Sequence, residues 1–536
     1  MYRLIAYIAM KIKFFKTEVA FVNFRTLFFA MFMTCIGFSG CDENNDDDPE
    51  NGNEEVDNIV SVTGVVLDET SITTNVDGSI TLTATILPDN ASDKGITWKS
   101  SDLSIATVND GIVTGIAPGK ATIAVITKDG NITAECEVSI EGKDLNLVVT
   151  NTQEWEEALA AIRYEWCNRS HIIEVRGEVA VPGMGSVTAS NGFGSNNTNI
   201  TVLLRGDGKL YLNSNGSIIT IGNEHNLIID SKVLTLEGKN DNNRSVLYVQ
   251  NGGVLELNNV IISNNVISVN GHGSGGVHNS GTFTMTGGAI RDNIGRGGFS
   301  AGCVCNYYGT FTMTGGTIIN NTGVDRGGGV SNLFGTFIMT GGEINDNTGG
   351  TEGGGVYIRS GDLDGIATFT MSGGKISGNT VIVNSNWSQF ADGGGVSNDG
   401  VFTMTGGEIS YNSTEIRWLS SGGGVRNGND IRSSTFIMSG GVIKGNTSVW
   451  GGGVYTRTNF IGANLNHFIK SGNSIIYGSD EGTNSNSAST SGHAVYWERW
   501  LYVGEQGSNH SLFRNATVGE DEDISTNNIS IPPWNQ

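Results

Sequence analysis

Proline and cysteine are scarce in this chain, with six of each in 536 residues, and basic residues are outnumbered by acidic ones, 31 against 54. Each shortage removes a class of answer. The cysteines show no metal-ligand spacing, so no metal or other cofactor is expected. A formal charge of −23 makes nucleic acid and anionic membrane surfaces poor partners. His272, His278 and His493 stand in unrelated contexts, and no catalytic triad is visible. Between Gly276 and Asn446 no apolar run falls at helical spacing, which excludes a helical repeat.

Glycine is what the chain has in excess. Its 78 residues are about twice the usual share of roughly 7%, and many belong to a sentence written six times. The clearest copy runs Gly327-Gly328-Gly329-Val330-Ser331-Asn332, then Gly335-Thr336-Phe337-Ile338-Met339-Thr340-Gly341-Gly342-Glu343-Ile344-Asn345-Asp346-Asn347. Its Phe recurs at Phe283, Phe311, Phe337, Phe369, Phe402 and Phe436, at intervals of 28, 26, 32, 33 and 34 residues. Periods of that size mean stacked repeats.

Within a copy, Phe-x-Met alternates, Gly-Gly-Val and Gly-Gly-x-Ile are two further apolar touches, and Gly or Asn separates them. Three short strands per turn of chain make a parallel β-helix. Alternation turns Val330, Phe337, Met339 and Ile344 inward, in columns at the roughly 4.8 Å spacing of neighbouring strands. The Asn that closes each copy (Asn293, Asn321, Asn347, Asn379, Asn412, Asn446) fits a turn where its amide bonds the same amide one coil away. Over about residues 275–520 these elements resemble the repeats of chlamydial polymorphic outer-membrane proteins and of related right-handed parallel β-helix surface proteins in Bacteroidetes and spirochaetes. The chlamydial proteins end in a membrane barrel, whereas this chain ends soon after Pro532-Pro533, so autotransport is not expected.

At the start, Lys11, Lys13, Lys16 and Arg25 precede an apolar run from Leu27 to Phe38 that is shorter than the roughly 20 residues of a spanning helix. It closes Phe38-Ser39-Gly40-Cys41, which resembles the lipobox of bacterial lipoproteins. That likeness implies a signal peptide over 1–40 and Cys41 as the lipidated first residue of the mature chain. Residues 1–40 hold five cations and one anion, so their removal takes the formal charge from −23 to −27. Asp42-Glu43-Asn44-Asn45-Asp46-Asp47-Asp48 opens an acidic tether over 41–58 that is too polar to pack. Its position resembles the surface-export signal of Bacteroidetes lipoproteins, implying an outer-membrane protein on the cell surface that meets the membrane only through its lipid.

Residues 59–141 read as a separate β-sandwich, with alternation in Ser79–Thr85, Gly111–Thr114 and Ala121–Val125 and turn signals between. Trp98-Lys99-Ser100-Ser101-Asp102 and Gly115-Ile116-Ala117-Pro118-Gly119-Lys120 resemble the bacterial immunoglobulin-like group 2 domain, implying a spacer or adhesive module. From Asn151 the period turns helical. Asn151 and Glu154 are spaced as a capping box, and Trp155, Ala158, Leu159, Ile162 and Trp166 share one face. This predicts a helix over 151–167 that lids a β-helix spanning 144–536. Irregular coils follow over 170–270, regular repeats over 275–480, a partly wet terminal coil where Lys470 replaces Met, and a closing cap over 490–536. The fold class is thus all-β: an Ig-like sandwich, then a right-handed parallel β-helix with an N-terminal capping α-helix. Of the remaining cysteines, Cys303 and Cys305 flank the inward Val304 and are expected to be exposed thiols.

A β-helix that cuts polysaccharides gathers acids and bases on one face. The best outward column, Ala289, Thr317, Glu343, Lys375, Glu408 and Val442, alternates in sign at its middle, as a cross-strand salt ladder does. No catalytic residue is assigned, and no enzyme is expected. Outward Thr282, Thr284, Thr310, Thr312 and Thr336 form an array similar to the faces of β-helical ice-binding proteins, although strand propensity alone favours threonine there. Binding is expected elsewhere. Trp387-Ser388-Gln389-Phe390, Ile416-Arg417-Trp418 and Val449-Trp450 are inserted at one place in the repeat, so stacking brings them to one edge. Trp387, Phe390, Trp418 and Trp450, with Arg417 and Arg426 as polar partners, form a candidate strip for a host or matrix glycan or protein. The alternative is that each Trp folds down to anchor its own loop. The expected function is adhesion or ligand binding; the alternative is carbohydrate binding or cleavage.

Overall fold

The computed structural model describes residues 59–165, 168–268, 273–296, 302–361, 365–383, 390–415, 419–428, 433–458, 467–478, 482–492, 494–502, 511–518 and 529–531. Cys41, Trp166, Cys167, His272, Trp387, Arg417, Trp418 and His493 lie outside them. Among the described residues no helix is long and apolar enough to cross a membrane.

The first domain is a sandwich. Gly119–Thr127 pairs antiparallel with Thr133–Glu141 and Ile96–Ser100, and Ser71–Asn75 joins Thr133–Glu141 in parallel. Ser79–Thr81, Ile112–Gly115 and Ala106–Asn109 make a second sheet. Every second residue of the long strands, Ala121, Ile123 and Val125 against Cys136, Val138 and Ile140, enters the core, as half-buried strands require.

Beyond it the chain winds about ten times into a parallel β-solenoid. A regular coil contains Val330–Leu333, Thr336–Met339, Glu343–Asn345 and Thr348–Gly349. Three strands per coil were expected; the fourth is two residues long, too short to show a period. The second and third strands build a twenty-stranded sheet, the first an eleven-stranded sheet and the fourth a seven-stranded sheet. The second and third are set apart by Gly342, whose φ of +80° suits glycine and where a Cβ would lie 2.6 Å from Met313 Cε.

Val330, Phe337, Met339 and Ile344 are fully buried. Phe337 lies opposite Phe311 and Phe369, and the column from Phe283 to Phe436 is a stack with centroids 4.5–4.8 Å apart. The closing asparagines form a buried ladder: Asn321 Nδ2 donates to Asn347 Oδ1 at 3.0 Å, and Asn347 Nδ2 to Asn379 Oδ1 at 3.0 Å. Each backbone N–H donates to the same oxygen, as from Asn321 to Asn347 at 3.0 Å, so the ladder satisfies polar groups that the turn would orphan. The residue before it is left-handed at Asp292, Asn320, Asp346, Gly378, Tyr411 and Gly445, which explains the Asp, Asn or Gly written at five of the six places, Tyr411 being the exception. A second ladder was not foreseen. Asn279, Asn306 and Asn332 bond in series at 2.7 Å on the eleven-stranded side.

The cap helix spans Thr152–Tyr164 and buries Trp155, Ala158, Leu159 and Ile162. Asn151 Oδ1 accepts from Glu154 N at 3.0 Å, while Glu154 reaches back to the Thr150 N–H and hydroxyl at 2.7 and 2.8 Å. Trp155 belongs to the solenoid's main core, and Thr152 Oγ1 donates to Ala180 O at 2.6 Å, so the helix closes the stack. A strand at Asn146–Val149 precedes the helix and already pairs with Arg169–Val175.

Two exposure expectations are corrected. Cys303 and Cys305 are both buried. Cys303 belongs to the main core, and burial pushes its thiol pKa well above the ordinary value. Cys305 stands outward in register with Ser331, but Leu333 and Tyr357 close over it. Lys470 is only 1% exposed, so the terminal coil is drier than its composition implied, and burial lowers its ammonium pKa.

Candidate ligand-binding face

Strand alternation gives the eleven-stranded sheet an outward column that changes at almost every coil. Successive partners are Tyr248, His278, Cys305, Ser331, Tyr357, Ser397, Arg426 and Tyr455. Beside it runs a column of parallel bridges, Arg326, Glu352, Asp392, Ser421 and Trp450. Chemistry concentrates in these two columns.

One zone is charged and covered. Arg426 Nη1 donates to Asp399 Oδ1 at 2.9 Å, its Nε lies 3.6 Å from Asp392 Oδ2, and Ser421 Oγ donates to Asp392 Oδ1 at 2.6 Å. The Asp392, Asp399 and Arg426 side chains are 7%, 2% and 7% exposed. One coil earlier, Arg326 Nε is 3.5 Å from Glu352 Oε2, and its guanidinium lies 5.5 Å from the Tyr357 ring centre. Burial pushes the Asp392 carboxyl up to about 6, against the pull of Arg426 and Ser421 and with help from Glu352 and Asp399. Burial also works against the Arg426 charge, but Asp399 and Asp392 outweigh it and hold the guanidinium above its ordinary value. The geometry reconciles the pair, because Arg426 spends its short bond on Asp399. Burial raises the Tyr357 phenol. Chemically this zone offers a carboxyl that takes up a proton near pH 6 beside a second acid in the adjoining coil.

The other zone is aromatic and partly exposed. Tyr248 and His278 stack at 4.5 Å, His278 lies 6.1 Å from Tyr307, and Tyr308 stacks on Phe334 at 4.9 Å. Tyr307 and Tyr308 are 41% and 48% exposed.

The expected residues are placed unevenly. Phe390 is exposed and Trp450 half-buried, the latter with its ring 5.0 Å from Tyr496. Arg426 is no edge partner: it is buried and committed to Asp399 and Asp392. Trp387, Trp418 and Arg417 lie outside the described residues. In the expected ladder column Lys375 pairs with Glu408 at 3.4 Å, but the second partner of Glu408, at 3.1 Å, is Lys444 from the next outward column, and Glu343 accepts from Asn345 Nδ2 at 3.4 Å. Sequence reasoning missed Glu352, Asp392 and Asp399, because it compared outward columns only on the second and third strands of each coil. Lining up Val330, Val356, Val396 and Val425 and reading the residues around them would have found them. Among the described residues no group of three or more His, Cys, Asp or Glu could hold a metal ion.

Residues 61–138 match the family model of the bacterial Ig-like domain (group 2). An α-L-arabinofuranosidase of Bifidobacterium longum is 40% identical over 105 residues, 19% of this chain and 10% of that protein. An Ig-like virion protein of Serratia phage KSP90 is 43% identical over 84 residues, 15% of this chain and 33% of that protein. An uncharacterized protein of Clostridium acetobutylicum is 42% identical over 83 residues, 15% and 9%. The chain spans a third or less of the length of these relatives. It therefore joins a segment similar to group 2 bacterial Ig-like domains to a β-solenoid whose eleven-stranded side carries the candidate face.

Proposed function

We propose that this is a lipid-anchored surface protein in which an acidic tether and an Ig-like spacer present the solenoid for adhesion or ligand binding. The observation that carries the reading is the contrast between outward surfaces. The second strands of the twenty-stranded sheet repeat outward threonine and Glu408 of its third strands is paired with Lys375 and Lys444, whereas the eleven-stranded sheet varies from coil to coil and gathers rings and ion pairs. Repetition outside a solenoid needs only strand propensity; variation on one side is the mark of a surface adapted to a partner. The aromatic inserts at Trp387, Trp418 and Trp450 belong to the same reading. Its test is display of the full chain on cells, scored for adhesion to a host-matrix and glycan panel. Adhesion should exceed that of cells with a Cys41→Ser chain; equal adhesion, or unchanged membrane retention of the variant, overturns the anchoring.

A second reading, glycan cleavage, is favoured by one observation: Glu352 and Asp392 are bridged neighbours, and Asp392 is held at about 6. Release of reducing sugar by the full chain, lost in Asp392→Asn, would establish it. Absence of release from every panel glycan would dismiss it.

A further inference from the structure

No slack chain lies between the sandwich and the solenoid, which belong to one compact unit. Glu141 ends a sandwich strand opposite Asn75, its carbonyl accepts from Val76 N at 3.3 Å, and its Oε2 is 2.7 Å from Arg169 Nη2 of the solenoid strand Arg169–Val175. The next four residues are each held against the solenoid. Gly142 lies so close to Glu165 that a Cβ would stand 2.3 Å from Glu165 O. Lys143 N donates to Glu165 Oε2 at 2.7 Å, and Asp144 Oδ1 accepts from Ser170 N at 2.9 Å. Leu145 N donates to His171 Nδ1 at 3.2 Å, while Leu145 O accepts from Ile172 N at 2.8 Å. Asn146 then opens the first solenoid strand.

Polar bonds hold this joint, because apolar packing does not. The cores of the sandwich and the solenoid share no residue, and a cavity of about 440 Å³ lies between Asn75, Val76 and Asp77 on one side and Tyr164 and Glu165 on the other. The bond to His171 is open to protons. Since the Leu145 N–H points at Nδ1, the ring is neutral with its proton on Nε2, and that atom is buried with no acceptor among the described residues. A second proton has only Nδ1 to go to. Donor would then face donor, and the bond to Leu145 would be lost. Burial lowers the His171 pKa below its ordinary value of 6.5, against the pull of Asp144 and Glu165 and with help from Arg169.

We propose that this joint is an acid-released hinge, which fixes the Ig-like domain on the solenoid at neutral pH and frees it when His171 takes up a proton. Opening the joint exposes the ring and returns it to its ordinary value. Below 6.5 the open joint therefore binds more protons than the closed one, and falling pH favours opening. The gain is at most about tenfold per pH unit, and it ends once the closed joint titrates as well. The sandwich is thus a stiff mount for the solenoid in neutral surroundings and a swivelling one in acid. This holds whatever the solenoid binds.

Hydrogen exchange of the full chain, corrected for the intrinsic effect of pH on amide exchange, reads the joint at the Lys143 and Leu145 amides. Both should be protected at about pH 7.5, and opening should rise severalfold, up to about tenfold, by about pH 5.5. Strand amides of the sandwich and the solenoid should stay protected throughout. His171→Asn keeps an oxygen to accept the Leu145 N–H but cannot titrate, so it should remove the pH dependence. Gly142→Ala drives a methyl group into Glu165 O and should strip protection from both amides at about pH 7.5, with the strands unaffected. The hinge is overturned if the two amides exchange at the free-chain rate at about pH 7.5, if their protection does not change by about pH 5.5, or if Gly142→Ala protects them as the parent does. It also falls if His171→Asn opens in acid like the parent, which would assign release to the carboxylates, or if strand amides open in step with the joint, which would mean that acid unfolds a domain.

Discussion

The twenty-stranded and eleven-stranded sheets are made by the same coils, yet they have been used in opposite ways. On the first, Phe and Met face in and Thr or Ile faces out at coil after coil. On the second, the inward Val is constant while its outward neighbour is His, Cys, Ser, Tyr, Ser and Arg in turn. Inward positions are fixed on both sides by stacking, since a change of volume is felt by the coils above and below. Only outward positions are free to vary: the second strands of the twenty-stranded side keep Thr, Ile or Val, whereas its third strands vary among small, acidic and basic residues and only the eleven-stranded side adds exposed rings. Repetition marks what holds the solenoid together, and its loss on one face marks where selection for something else acted.

The contrast can be pressed by mutation. Phe337→Ala breaks a fully buried stack and should cost about 3–5 kcal/mol, read by chemical denaturation, with part of the loss appearing as local fraying. A loss below about 0.5 kcal/mol would place that ring outside. Arg426→Met tests whether the covered ion pairs matter to stability. It strands Asp399 and Asp392 without their partner and should cost about 3 kcal/mol near neutral pH; a neutral result would show that water reaches both acids.

Asp392→Asn sharpens the same point through pH. The folded protein holds this proton to about pH 6, against an ordinary value of 3.8. Between those values the native state therefore binds more protons than the unfolded state, and the parent loses stability as pH rises through the window. Asparagine removes that loss. The stability difference should move in the variant's favour by about 2 kcal/mol from about pH 4 to about pH 7, and a pH-independent difference would mean that Asp392 titrates normally. At the small end, Thr312→Val on the twenty-stranded side should change stability by less than about 0.5 kcal/mol and leave binding untouched.

Much of the solenoid was legible because its signals are local and repeated. Phe337, Met339, Ile344 and Asn347 each report an inward or turn position several times over, and the cap helix announced itself through Asn151 and Trp155. What stayed hidden was the fate of outward residues. Alternation says on which side of a sheet Cys305 or Arg426 stands, but not that Tyr357 and Leu333 cover the cysteine or that Asp399 claims the arginine. Such cover comes from residues 27, 28 and 52 positions away, one or two coils on. The ion cluster was missed for the same reason: Glu352, Asp392 and Arg426 become neighbours only once the variable coil lengths are put in register.

The most direct test sets the two faces against each other on the full chain displayed on cells. One variant carries Thr312→Ala with Thr370→Ala on the twenty-stranded side, and the other carries Tyr307→Ser with Tyr308→Gly on the eleven-stranded side. Adhesion to the matrix and glycan panel should be retained by the first and lost by the second, with both melting near the parent temperature. Loss of adhesion in the threonine variant with retention in the tyrosine variant would contradict the assignment of the binding face.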